Sequence, residues 1–183
     1  MLKRISKSFY SMSTGWAALT GLAVFVFFMI VVLPQQAQKA EAYSGGTSPD
    51  TSYIYSAGDL YQMAEDYGAE GRAAYIYARF TFDLVFPLAY LFFLTTSISW
   101  LLARGLAETS RWRLLNLFPL AGMAFDYLEN ISTSIVLGRY PSHTPVVDAL
   151  APLFTAVKWV FVNGSFILLL IGLLLFLWKR SKK

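Results

Sequence analysis

The sequence predicts an all-α integral membrane protein: a bundle of four transmembrane helices with a short extracytoplasmic amphipathic helix. Three observations predict it. Of the 183 residues, 56% are hydrophobic and only 14% charged, against about 25% charged in soluble domains. Four apolar runs, at about 15–33, 75–102, 114–137 and 152–178, are each long enough to cross a hydrocarbon core of about 30 Å. Most basic residues collect at the ends of those runs. The chain, 1–183, reads as a single membrane domain.

The first run carries no charged residue and follows a short basic opening with Lys3, Arg4 and Lys7. Pro34 is expected to end it, because proline lacks the N–H that a helix interior needs. The basic start, the apolar run and Ala40-Glu41-Ala42 also have the order of a secretory signal. The run exceeds the usual apolar core of about 7–15 residues, however, and the candidate cleavage site lies well beyond it, so an uncleaved anchor is expected.

Residues 34–74 are assigned to an outer loop. Ser44-Gly45-Gly46-Thr47-Ser48-Pro49-Asp50 has loop composition. Ser56-Ala57-Gly58-Asp59 has the spacing of a capping box, and Leu60, Met63, Ala64 and Tyr67 recur with helical period. A short amphipathic helix over 59–68 is therefore expected, resting on the membrane interface or capping the bundle.

The second run leads into a basic inner loop, 103–113, and the third into an outer loop, 138–151, containing Pro141, His143, Pro145 and Asp148. Pro152 suits the first turn of the fourth span. Ten basic residues (Lys3, Arg4, Lys7, Arg104, Arg111, Arg113, Lys179, Arg180, Lys182, Lys183) fall on one side and three (Lys39, Arg72, Arg139) on the other. The positive-inside rule then places both termini in the cytoplasm, in a plasma membrane or, in a prokaryote, the inner membrane.

The remaining two cations, Arg79 and Lys158, lie inside spans, together with Asp83, Asp126 and Glu129. Arg79 and Asp83 are one helical turn apart and face each other on one side of span two. That face continues through Pro87, Tyr90, Leu94 and Ser97. Pro87 also frees the backbone carbonyl of Asp83. In span three, Gly122, Asp126, Glu129, Asn130 and Thr133 share one stripe; in span four, Thr155, Lys158, Val162 and Ser165 do, and Asn163 points elsewhere.

Counted from the outer surface at 1.5 Å per residue, Arg79, Asp83, Glu129 and Lys158 fall about 6–15 Å deep, with Asp126 near the midplane. Lys158 is the expected partner of Glu129 or Asp126. Two cations against three acids leave one carboxylate to be matched by a proton, by Asn130 or a tyrosine, or by a cationic ligand. The candidate ligand-binding set is Arg79, Asp83, Tyr90, Asp126, Glu129, Asn130 and Lys158, with Asp126 and Glu129 as the candidate catalytic acid/base pair.

Composition excludes several chemistries. The sequence has no cysteine and one histidine, His143, in a loop, so thiolate and multi-imidazole metal sites are excluded. No Glu-x-x-His pair, phosphate loop, nucleophile elbow or dinucleotide fingerprint occurs. Arg79 and Lys158 oppose a magnesium or calcium cage on the acids. No metal and no cofactor is expected. The basic charge, +4 net, sits at span ends, which argues against nucleic acid.

Five ionisable groups within spans point to function, since each costs roughly 2.5–3.5 kcal/mol on insertion. Three classes remain. The first, and the one we expect, is binding or transport of a cation, a proton or a polar lipid headgroup. The second is a membrane enzyme acting on a lipid or isoprenoid substrate, with Asp126 or Glu129 as acid and base. The third is an accessory subunit pairing with another membrane protein. The expected partners are the bilayer, a small cation or lipid ligand, and a membrane protein or second copy.

Overall fold

A computed structural model describes residues 1–182, and among them every regular element is helical. In chain order these are α1 (Leu2–Met12), α2 (Gly15–Phe27), a π-helical turn (Phe28–Val32), α3 (Leu33–Ser44), a 3-10 turn (Pro49–Thr51), α4 (Ala57–Asp66), α5 (Gly68–Arg79), α6 (Phe82–Gly105), a 3-10 segment (Arg111–Leu117), α7 (Phe118–Arg139) and α8 (Val147–Ser181). Three continuous helical runs are long and apolar enough to cross a membrane: Gly15–Ser44 with 30 residues, Gly68–Gly105 with 38 and Val147–Ser181 with 35.

Pro34 does not end the first run. The turn before it widens, so that the N–H of Leu33 reaches back to the carbonyl of Phe28. A π-turn of this kind absorbs the donor that proline cannot supply. The helix ends instead at Gly45, whose φ of 57° is the left-handed cap that glycine adopts without strain. Much of the expected 34–74 loop is thus helix.

Three further boundaries shift. The second run begins at Gly68, not 75, and breaks at Phe80–Thr81, where a two-residue kink separates α5 from α6. The helical run before α7 is 3-10 up to Leu117, and Pro119 occupies the first turn of α7, where a missing N–H costs nothing. α8 starts at Val147, so Pro152 lies inside it rather than in its first turn. Residues 1–14, read only as a basic opening, form α1.

The capping box holds. Ser56 Oγ accepts from the Asp59 N–H at 3.2 Å, and Asp59 Oδ2 accepts from the Ser56 N–H at 2.8 Å. The Ser56 N–H and the Ser56 hydroxyl, both donating to Asp59 Oδ2 at 2.8 Å, hold the Asp59 carboxyl below the usual carboxylate range. α4 buries Leu60, Met63 and Ala64 beside Tyr55, Tyr67, Tyr75, Val136, Leu137 and Ala151. Tyr61 fixes its other side by donating to Asp148 Oδ2 at 3.0 Å and accepting from the Thr144 N–H at 2.7 Å.

A second apolar cluster lies towards the other end: Tyr90, Phe93, Leu94, Ile98 and Leu102 of α6, packed by Phe25, Met123, Val162 and Phe166. Here α2 meets α6 at Gly21, where an added Cβ would sit 2.9 Å from the Cα of Phe93. Only glycine permits that approach. Beyond this cluster, α1 is tied down by Ser6, whose Oγ donates to Asn116 Oδ1 at 2.7 Å, while Asn116 donates to Ser99 Oγ at 3.0 Å. The Tyr10 hydroxyl donates to the carbonyl of Arg113 at 2.8 Å. Burial pushes that phenol up to about 12, partly offset by the Arg113 cation.

Candidate functional site

Between the two apolar clusters lies a layer of buried charge. Along α7, Val136 and Leu137 belong to one cluster and Met123 packs on the other, with Asn130, Glu129 and Asp126 between them. Along α8, Ala151 and Val162 bracket Thr155 and Lys158 in the same way. The helical repeat does this: one stripe of each helix faces inward, and its polar residues fall in the middle of α7 and in the first third of α8.

Within the layer, Arg79 Nη2 stands 2.9 Å from Asp83 Oδ2, the i,i+4 pair, carried across the α5–α6 kink. Lys158 of α8 pairs directly with Glu129 of α7. Of the two acids considered for Lys158, Glu129 takes it. Asp126 is held instead by neutral donors, the Tyr90 hydroxyl at 3.0 Å on Oδ2 and the Asn130 amide at 3.3 Å on Oδ1. The candidates therefore form two groups, Arg79–Asp83 with Lys158–Glu129 and Tyr90–Asp126–Asn130. The groups adjoin through the neighbours Glu129 and Asn130.

What joins the two ion pairs is a residue that sequence reasoning missed. Asp50, from the Pro49–Thr51 turn, reaches into the bundle, pairs with Arg79, and stands 3.5 Å from Lys158 Nζ. Burial by itself would push its carboxyl up; the Arg79 and Lys158 cations more than offset this and hold it below the usual carboxylate range. No local signal marks Asp50, since it lies in a polar turn and its partners are far along the chain. With it, four acids (Asp50, Asp83, Asp126, Glu129) share two cations. Its side chain is 30% exposed, against 0% for Glu129 and 5% for Lys158. Asp50 is thus the solvent edge of the layer.

Aromatic hydroxyls line the layer on its α4 side. Tyr75 donates to Thr133 Oγ1 at 3.2 Å and places its ring 4.6 Å from the Arg79 guanidinium carbon. Tyr55 and Thr155 share a hydrogen bond at 2.9 Å, and burial pushes the Tyr55 phenol up. Pro87 is buried in α6, and the Tyr127 hydroxyl donates to the carbonyl of Leu84 beside it at 2.8 Å. His143 is exposed and packs against Tyr61 with its ring tilted by 54°, centroids 4.4 Å apart, without a hydrogen bond to the layer among the described residues. Asn163 is exposed, as its position on α8 predicts.

Three buried polar atoms of the layer have neither a hydrogen-bond nor an ion-pair partner: Glu129 Oε1, Asn130 Oδ1 and Arg79 Nε. Two of the three are acceptors. Unsatisfied buried acceptors cost about 1–3 kcal/mol each, so the layer is suited to receiving a donor or a cation. Among the described residues, no group of three or more His, Cys, Asp or Glu is arranged to hold a metal ion.

Comparison with known proteins adds no relative: no family model, no curated protein and no solved structure matches the chain.

Proposed function

We propose that this chain is a four-span membrane protein, both termini cytoplasmic, whose buried acidic layer binds and carries a proton or a small monovalent cation entering from the outer face. The span to be added to the three long helical runs is α7, the third in chain order. Its 22 residues extend about 33 Å, and its outward side chains Leu128, Ile131 and Ile135 are apolar and exposed. In this reading α4 is the extracytoplasmic amphipathic helix, capping the bundle. The end that carries α1, Arg104–Arg113 and the last turn of α8 holds most of the cations and is the inner one. Lys179 donating to the carbonyl of Arg104 at 3.3 Å ties two of those segments together.

The observation that carries the reading is the charge count with its orphaned acceptors. Four acids against two cations, with Glu129 Oε1 and Asn130 Oδ1 unpaired, favour a positive guest over an anionic one. A guest the size of a proton or a dehydrated ion suits a layer so closely paired, and the Arg79 and Lys158 cations already within it favour a singly charged guest. Asp50 is its entry. The apolar cluster around Phe93, Leu94 and Ile98 closes the inward side, so carriage requires α6 to move, and the kink at Phe80–Thr81 supplies a hinge.

Purified protein in liposomes, under an imposed proton, sodium or potassium gradient, tests this. Flux above that of empty liposomes, lost in Asp126→Asn and Glu129→Gln, is the expected result. Flux no greater than that of empty liposomes for all three ions overturns it.

A further inference from the structure

An apolar groove of about 380 Å³ opens between α1, the 3-10 segment before α7, and the outer faces of α7 and α8. Leu2, Leu117, Phe118, Ala121, Ala124 and Phe161 line it, and every lining residue is apolar. Two small residues on consecutive turns of α7, Ala121 and Ala124, make the depression. Leu2 closes its end, and α1 is fixed there by the Ser6–Asn116 hydrogen bond.

The rim has the opposite character. Lys3 and Arg4 directly follow Leu2, Lys7 lies one turn further along α1, and all three are exposed. Arg111, also exposed, stands at the start of the 3-10 segment whose Leu114 and Leu117 line the groove. Glu108 is the only acid between Leu102 and Phe125. Lys3 and Lys7 flank this apolar trough on α1 and Arg111 on the 3-10 segment, while Arg4 turns to the far face of α1; the combination matches one kind of occupant: an acyl chain joined to a negative headgroup. Surface cations near an anionic leaflet attract its headgroups, and apolar burial acts on the chain alone.

We infer that this groove is a binding site for an anionic glycerophospholipid, its acyl chain against Ala121 and Ala124 and its phosphate among Lys3, Lys7 and Arg111. The site holds α1 flat on the membrane surface. The inference rests on the membrane-spanning reading above but not on the acidic layer.

The test reconstitutes the full chain in nanodiscs of equal phosphatidylcholine and phosphatidylglycerol, extracts it in mild detergent, and counts retained lipids by native mass spectrometry. The expected result is one phosphatidylglycerol retained several-fold over phosphatidylcholine. Combined Lys3→Gln, Lys7→Gln and Arg111→Gln substitution brings that ratio close to one, and Ala124→Phe lowers retention of both lipids. Should Ala124→Phe fail to fold, the triple variant, which alters only exposed positions, decides alone. Equal retention in the unaltered chain, an unchanged ratio in the triple variant, or a lipid-free dimer covering the groove overturns the inference. Lost lipid preference with ion flux intact defeats this site only; a chain that does not cross the membrane defeats both readings.

Discussion

The guanidinium of Arg79, at the last turn of α5, closes on the carboxylate of Asp50, a residue of a surface turn. That contact makes the 45–56 connection part of the bundle and places a loop acid in a layer otherwise built by three long helices. Because Asp50 also stands beside Lys158, it bridges two ion pairs that would otherwise be independent.

The bridging predicts a pH signature. Asp50 is held below its ordinary value of 3.8, so its contribution is fully present above that value and lost as pH falls through the lower folded one. The thermal midpoints of the unaltered chain and Asp50→Asn, measured in detergent, should differ by a constant amount between about pH 5 and 8 and converge below about pH 4. A gap that widens on acidification contradicts the assignment.

Lys158 and Glu129 should behave as a buried unit. Lys158→Met alone leaves a buried carboxylate without its cation, and such breaks cost about 3–5 kcal/mol. Combining Lys158→Met with Glu129→Gln removes both charges and should recover most of that loss. A double-mutant cycle on unfolding measures it; additive single effects would show the pair to be uncoupled.

Gly21 tests the seating of the first long helix. An added Cβ meets the backbone of Phe93 at 2.9 Å, which no side-chain rotation relieves. Gly21→Leu should therefore pry α2 from α6 and lower the thermal midpoint, with a cost on the order of 1–3 kcal/mol typical of overpacking. The neighbouring exposed site Leu22→Ala should have little effect.

Sidedness is open to direct measurement because the chain contains no cysteine. Single cysteines at Thr47 and Ser142 should react with an impermeant maleimide added outside intact cells or spheroplasts. Cysteines at Ser8 and Ser110 should react only after permeabilisation. The reverse pattern would invert the proposed topology.

The charge layer was partly legible from residue order. Arg79 to Asp83, and Asp126 to Asn130, are contacts within one turn or across one kink, and helical spacing alone specifies them. The inward faces of α6 and α8 follow from the same repeat: Pro87, Tyr90, Leu94 and Ser97 are buried on one, and Thr155, Lys158 and Ser165 on the other. Pro34 misled because its effect depends on the turn before it, and a widened turn is set by a balance of packing and hydrogen bonding that the residue type does not reveal.

Residue order by itself determined that this is an all-helical chain with membrane-length apolar runs, and which stripe of each run carries charge. Those properties arise from the 3.6-residue repeat and from composition, both local. Only the tertiary structure decided that Lys158 takes Glu129 rather than Asp126, that Tyr90 and Asn130 hold Asp126, and that Asp50 enters the layer at all. Such contacts join residues far apart in the chain, and their selection is made by how whole helices pack, through interactions that no short window of sequence contains.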